Sequence, residues 1–286
     1  MSRSIREAIT FPRFAAFTTG LTLSLVMLGV YTAATGSGLA CSAQWPLCDN
    51  GLLPQTIPSF IEWFHRLVAM VTGWFILGTA LWSWRRPDRR TRLAATLAVG
   101  LLPLQISIGA VTVTLNGLLP EGYSAPTQGA HLVVALSIFS LLVWTTLSVW
   151  TERGPAPSRV RTALGVALAA IVASVFVSRV FTTVPYSPAA QALFYGASLV
   201  ALAALLAATR WLADTAVSHL RYVTGSAIAP LFAGMLLGRD LVFYTPTVRL
   251  VNAAFFLLAG TAVLAATLLA RRARRNDRPG LASSID

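Results

Sequence analysis

Lysine is absent from this sequence, histidine occurs three times, cysteine twice, and charged residues make up only 11% of the 286. A soluble domain carries roughly a quarter charged residues, so the shortage excludes an ordinary water-facing surface. The chain is instead 56% apolar with a mean hydropathy of +0.69, and its apolar residues fall in long runs, not amphipathic stripes. A run of about 20 such residues lets a helix cross about 30 Å of hydrocarbon, and a helix satisfies its own backbone in lipid. The runs predict an all-α integral membrane protein with spans near 14–34, 62–84, 93–115, 127–150, 162–183, 190–211, 222–238 and 250–270. The seventh is short and holds Gly225, Pro230 and Gly234. No cleavable leader is expected: Arg3, Arg6 and Arg13 precede the first span, and no small-residue cleavage site follows a short apolar core.

The formal charge of +12 invites a nucleic-acid reading, and its distribution argues against one. Arg85, Arg86, Arg89, Arg90 and Arg92 lie between spans 2 and 3, and Arg153, Arg159 and Arg161 between spans 4 and 5. Arg210 and Arg221 flank the next such loop, and Arg271, Arg272, Arg274, Arg275 and Arg278 follow span 8. These are alternate loops plus the tails. The positive-inside rule makes them cytoplasmic, with both termini, in a multi-pass protein of the cell membrane.

Loops 35–61, 116–126, 184–189 and 239–249 then lie outside. The first contains both cysteines, as Cys41-Ser-Ala-Gln-Trp-Pro-Leu-Cys48. Pro46 and the short spacing allow this loop to close on itself, and an outside location is oxidising enough for a disulfide. We favour that pairing over two idle thiols. Eight spans divide into four plus four, and the second four re-enter with the same orientation. The expectation is two pseudo-symmetric four-helix bundles, residues 1–150 and 151–286, with Gly154, Pro155 and Pro157 in the join. Pro126-Thr127 and Pro246-Thr247, before spans 4 and 8, echo one another.

Polar residues inside spans are costly in lipid and mark chemistry. Glu62 and His65 are three apart at the outer end of span 2, on one helical face. Span 4 opens Thr127-Gln128-Gly129-Ala130-His131. At 1.5 Å per residue His65 lies about 9 Å along from Ser59, and His131 about 6 Å from Thr127. The imidazoles share a depth on parallel helices that can face each other across a bundle. That arrangement suits axial ligation of heme iron. Gly129 would let a flat macrocycle approach, and Arg66 offers a propionate paired hydrogen bonds. The alternative is that each histidine sits at the interface bonded to a carbonyl or water. Glu62 has two readings as well: an i,i+4 ion pair with Arg66, or a carboxylate beside the macrocycle that moves protons or meets positive charge.

The first half resembles the heme A synthase family. The resemblance rests on Gly-Ser-Gly-Leu at 36–39, the Cys41–Cys48 segment, Glu62-Trp-Phe-His65-Arg66, the stretch from Gln105 to Val113 with Gly109-Ala-Val-Thr-Val, and Gly129-Ala-His131. It implies oxidation of a methyl group of heme O to the formyl group of heme A, by successive hydroxylations and loss of water. It also implies eight helices in two bundles. By the same resemblance His65 and His131 would hold the substrate heme, Glu62 would be the catalytic acid, and the Cys41–Cys48 disulfide would serve heme handling or reducing equivalents. Heme O synthase and terminal oxidase subunits would be partners.

The second half departs from that pattern. Members usually carry a second histidine pair in spans 6 and 8 for a heme b. Here span 6 begins Ala190-Gln-Ala-Leu-Phe-Tyr195 and span 8 Leu250-Val-Asn252. His219 falls in the loop between spans 6 and 7, on the cytoplasmic side. Spans 5–8 hold no histidine or cysteine, and Met235 as their one methionine. A single heme site is expected, with the second bundle a structural companion. Arg179 and the Arg239-Asp240 pair read as interface anchors or local ion pairs, with a propionate contact as the alternative. Two function classes stand: an oxidoreductase of heme biosynthesis, and a non-catalytic heme-binding or oxidase-assembly protein. Glu62 favours the first, since ligation alone does not need it. A transporter fits less well, because the polar residues gather at the outer face, not the midplane. With no internal heme b, electrons would pass to the disulfide, a partner, or another copy in a homo-oligomer.

Overall fold

The computed structural model describes residues 10–114, 124–150, 157–181, 183–240 and 242–276. Arg3, Arg6, most of the 116–126 loop, Arg153, Gly154, Pro155 and Arg278 lie outside these residues, as do the side chains of Pro157, Arg274 and Arg275. Among the described residues there is no β-strand, and eight helices are long and apolar enough to cross a membrane. They are α1 Phe11–Ala34, α2 Ile57–Ser83, α3 Arg89–Thr114, α4 Ala125–Trp150, α5 Pro157–Val177, α6 Pro188–Leu212, α7 Leu220–Leu237 and α8 Pro246–Asn276.

Every expected span is present, and local chemistry explains where the ends moved. α2 begins at Ile57 instead of 62, because the Thr56 hydroxyl accepts the Ser59 N–H and Pro58 sits in the first turn, where its missing N–H goes unneeded. Ser187 and Pro188 start α6 the same way, with the Ala190 N–H as donor. α5 stops at Val177 instead of 183. There the Ser178 hydroxyl donates to the Val175 carbonyl and accepts from the Val180 N–H, offering the backbone a turn in place of a helix. α3 is broken at Leu101, and α7 at Ser226 and Ala227. Each break precedes a proline, Pro103 or Pro230, that cannot bond the carbonyl four residues earlier. These are the third helices of the two halves. On the basic side Asp88 caps α3, accepting from the Arg90 and Thr91 N–H groups. Burial alone would raise its carboxyl, but the bonds from Thr91 and Arg90 outweigh that and hold it below the usual range.

In the first half α1 packs on α2, α2 on α3, α3 on α4, and α4 back on α1, so α2 and α4 stand across the ring from each other. Helices α5 to α8 close a second ring in the same order. α6 belongs to both, because it also packs on α1 and α4. Of its span 61% is buried, against 22% for α2 and 17% for α3. Small residues let α5 and α6 approach closely, Ala163, Ala167 and Ala170 against Ala201, Ala204 and Ala208. Hydroxyl pairs also join helices: Thr19–Thr146 at 2.9 Å (α1 to α4), Thr18–Thr79 at 3.1 Å (α1 to α2) and Ser174–Ser198 at 3.1 Å (α5 to α6). Phe17, Trp74, Leu81, Val172, Phe176 and Leu264 are exposed on the outside of the rings. That surface suits hydrocarbon and not water.

The core is uneven. One large cluster takes in all of α5 to α8 and reaches into α1 and α4 through Val26, Val30, Leu132, Leu136, Phe139 and Val143. Among the described residues the first half has a small cluster of its own, Ile76, Ala98, Val134, Ile138 and Leu142. The outer end of the first ring lies above it, and there the polar residues gather.

Candidate functional site

The loop between α1 and α2 folds back onto the outer end of α2. Cys41 and Cys48 form a disulfide with Cα atoms 4.8 Å apart, and both are buried. Their sulfurs, with no proton to donate, rest against the Ser59 carbonyl at 3.4 and 3.9 Å. Cys48 and Gly51 exchange two backbone hydrogen bonds of 3.0 Å. Asp49 and Asn50 between them both have positive φ, the conformation a two-residue hairpin turn requires. Asp49 then accepts from the Ser59 hydroxyl at 3.0 Å and the Gln55 N–H at 2.8 Å, tying the turn to the start of α2.

Three α2 side chains strap this loop down. The Trp63 indole donates to the Pro46 carbonyl at 3.2 Å. Arg66 donates to the Gln44 carbonyl at 2.7 Å, to the Ser42 carbonyl at 2.8 Å, and to Glu62. The other carboxylate oxygen of Glu62 accepts the Cys41 N–H at 2.6 Å. Glu62 is 2% exposed, a buried charge held by a cation and a backbone donor. The Glu62–Arg66 pair expected from i,i+4 spacing is therefore formed. The spacing gave no sign that the same two residues also hold the disulfide loop.

His65, one turn further along α2, turns the other way. Its Cε1 lies 2.9 Å from where a Cβ on Gly29 of α1 would stand, and its Nδ1 is buried without a hydrogen-bond partner. His131 on α4 packs likewise on Gly109 of α3, where a Cβ would meet its Cε1 at 3.2 Å. Its Nε2 lies 3.0 Å from the Gln105 amide nitrogen, and its Nδ1 is also buried and unpartnered. Gly129, two residues before His131, has nothing within 4 Å of where a Cβ would stand. Buried polar atoms without partners are rare and call for an explanation. Two ring nitrogens of this kind lie on helices that stand across the first ring from each other. Gly29 was missed in the sequence. Its one signal was a glycine inside a helical run, where glycine costs stability unless something packs close.

Aromatic side chains pack the corresponding end of the second ring. Tyr195 is fully buried and its hydroxyl donates to the Met235 carbonyl at 2.6 Å. Phe194 packs edge-on against both Tyr195 and Phe256. The Asn252 amide donates to the Tyr244 hydroxyl at 2.9 Å. A cavity of about 280 Å³ opens beyond it, lined by Arg179, Tyr186, Gln191, Tyr244 and Arg249 among others. Burial raises the Tyr186 and Tyr244 hydroxyls above the ordinary phenol value. Arg179 stacks on Tyr244 at 4.4 Å and donates to the carbonyls of Arg239 and Val242. Arg239 and Asp240 form a 3.6 Å ion pair, and Arg239 also donates to Gln128 of α4 at 3.1 Å. That last bond crosses from one half to the other, and nothing in the spacing announced it.

Residues 12–279 match a family model described as cytochrome oxidase assembly protein. The chain is 34% identical over 136 residues to a heme A synthase of Bacillus licheniformis, covering 46% of this chain and 43% of that one. It is 35% identical over 136 residues to a heme A synthase of Shouchella clausii, with the same coverage. It is also 37% identical over 140 residues to a protoheme IX farnesyltransferase of Halobacterium salinarum, covering 47% of this chain and 30% of that one. The chain thus spans less than half the length of these curated relatives. No solved structure matches.

Proposed function

Because this chain belongs to the family of cytochrome oxidase assembly proteins, we propose that it is a heme A synthase-like oxidoreductase that converts the methyl group of heme O to the formyl group of heme A. The observation that carries the reading is the facing pair His65 and His131, each set on a neighbouring glycine and each with a buried Nδ1 left unpartnered. In this reading they ligate the iron of the substrate heme. Gln105, beside the His131 Nε2, is the resting partner that orients this ring. Gly129 leaves room beside the macrocycle. Glu62 is the catalytic acid, acting on a proton or on positive charge at the methyl carbon, with its carboxyl group held by Arg66 and the Cys41 N–H. The Cys41–Cys48 disulfide is a hydrogen bond away from it, placed to pass reducing equivalents or to shape the outer rim. Residues 151–286 are a structural companion without a heme b, so electrons leave to a partner, the disulfide or another copy. The termini and the arginine-rich loop at 85–92 are cytoplasmic, with a heme O synthase supplying substrate and a terminal oxidase receiving product.

One observation favours a second reading, a non-catalytic heme-binding or oxidase-assembly protein. Glu62 already has structural work, bracing the disulfide loop with Arg66, and that alone accounts for its burial. Co-expression with a heme O producer, followed by analysis of extracted hemes, separates the two. Heme A supports the enzyme; bound heme O without heme A supports the assembly protein. Reporter fusions after Asn50 and after Arg90 should give opposite compartments. The same compartment for both would overturn the topology and with it the shared depth of the histidines.

A further inference from the structure

Arg239 is the most unusual charge in the molecule. It follows α7 in the second half, yet its side chain, 8% exposed, points into the seam between the halves. There it lies 5.9 Å from the Tyr195 ring and donates one hydrogen bond to Gln128 of the first half. Gln128 is three residues before His131, about one turn toward the outer end and on the same side of α4. The carboxylate nearest Arg239, Asp240, is 3.6 Å from Nε, too long for a hydrogen bond, so the Nε and the facing Asp240 oxygen both lack hydrogen-bond partners. A guanidinium presents five N–H donors in a planar fork made for carboxylates. Burying one this way is costly unless something more completes it.

The backbone holds this arginine in place. Its carbonyl accepts from Arg179 at 2.8 Å and from the Val242 N–H at 3.1 Å. Arg66, the other cation near the histidines, is committed to Glu62 and two loop carbonyls. A macrocycle between His65 and His131 would turn its carboxylates toward the watery outer end, where Gln128 and Arg239 stand.

We propose that Arg239, supplied by the second half, is the carboxylate-binding residue of the porphyrin site in the first half, with Gln128 as its partner when the site is empty. This rests on the histidine site proposed above, and it gives the second bundle a part in substrate binding without a heme of its own. The specificity it implies is for porphyrins with free propionates.

The test is titration of the purified full chain, stripped of heme, with heme and with heme dimethyl ester, followed by absorption. The wild type should bind the free acid at least tenfold more tightly than the diester. Arg239→Gln should lose most of that preference while its diester affinity and the shape of its heme spectrum stay the same. Gln128→Glu, nearly isosteric, places a competing carboxylate on Arg239 and should quench the preference too, which keeps the idea testable if Arg239→Gln fails to fold. A wild type indifferent to esterification overturns the proposal and leaves the histidine site standing. So does an Arg239→Gln that weakens both ligands equally, or a Gln128→Glu that keeps the full preference. Binding of both ligands unchanged in a His65→Ala, His131→Ala double variant would remove the histidine site itself, and this proposal with it.

Discussion

Pro58 opens α2 and Pro188 opens α6, each behind a hydroxyl cap, and seven residues further on the chain places His65 in one helix and Tyr195 in the other. The Tyr195 hydroxyl is bonded to the Met235 carbonyl and its ring is packed by Phe194. The His65 Nδ1 is bonded to nothing. The diagonal partners show less contrast: Asn252 donates to Tyr244 while its Oδ1 is unpartnered, and the His131 Nε2 has Gln105 beside it while its Nδ1 is unpartnered. Two rings built on one plan thus differ most at the positions of His65 and Tyr195. In a membrane, a buried nitrogen left unpartnered is an expense, and a bound ligand is one means of recovering it.

The sharpest way to break this contrast is to count hemes. His65→Ala with His131→Ala should leave the purified protein essentially without heme, a loss of at least a hundredfold in affinity, while Tyr195→Phe keeps about one heme per chain. A heme surviving in the double histidine variant would place ligands in the second ring. Next in size, Glu62→Ala should retain a heme spectrum but lower heme A yield by at least tenfold in co-expression. Full yield would confine Glu62 to bracing the loop.

Smaller effects grade the cradle itself. A methyl at Gly29 would come within 2.9 Å of the His65 ring, and at Gly109 within 3.2 Å of the His131 ring. Gly29→Ala should therefore weaken heme binding by about tenfold, with Gly109→Ala costing less, since overpacking of this kind costs about 1–3 kcal/mol. Equal and negligible effects in a heme titration would mean the rings move freely. Smallest of all, Tyr195→Phe should cost about 1 kcal/mol of stability in a detergent unfolding series, the worth of one buried hydrogen bond, with heme binding untouched.

Much of this was legible beforehand, for identifiable reasons. Eight spans follow from hydropathy because lipid permits few alternatives, and the Glu62–Arg66 pair follows from helical spacing. The beginnings of α2 and α6 were placed late because Thr56, Pro58, Ser187 and Pro188 read as loop residues until their capping role is seen. The breaks at Leu101 and Ser226–Ala227 were foreshadowed by Pro103 and Pro230. The contact of Gly29 with His65 and the bond from Arg239 to Gln128 could not be read at all. Each joins residues far apart in sequence through the angle at which helices meet, and periodicity within one helix carries no information about that.

The shared position of α6 has a consequence for how the protein is made. When the ribosome has completed the first four spans, both histidines, Glu62 and the cysteines already exist in the chain. The wall formed by α6 against α1 and α4 does not, and neither does Arg239. During synthesis, then, the nascent first ring stands open on one side to lipid and to whatever insertion machinery shelters it. On the proposed reading, loading belongs after the sixth and seventh spans have arrived, and a chain cut between the rings would carry both histidines without the wall that holds them in register.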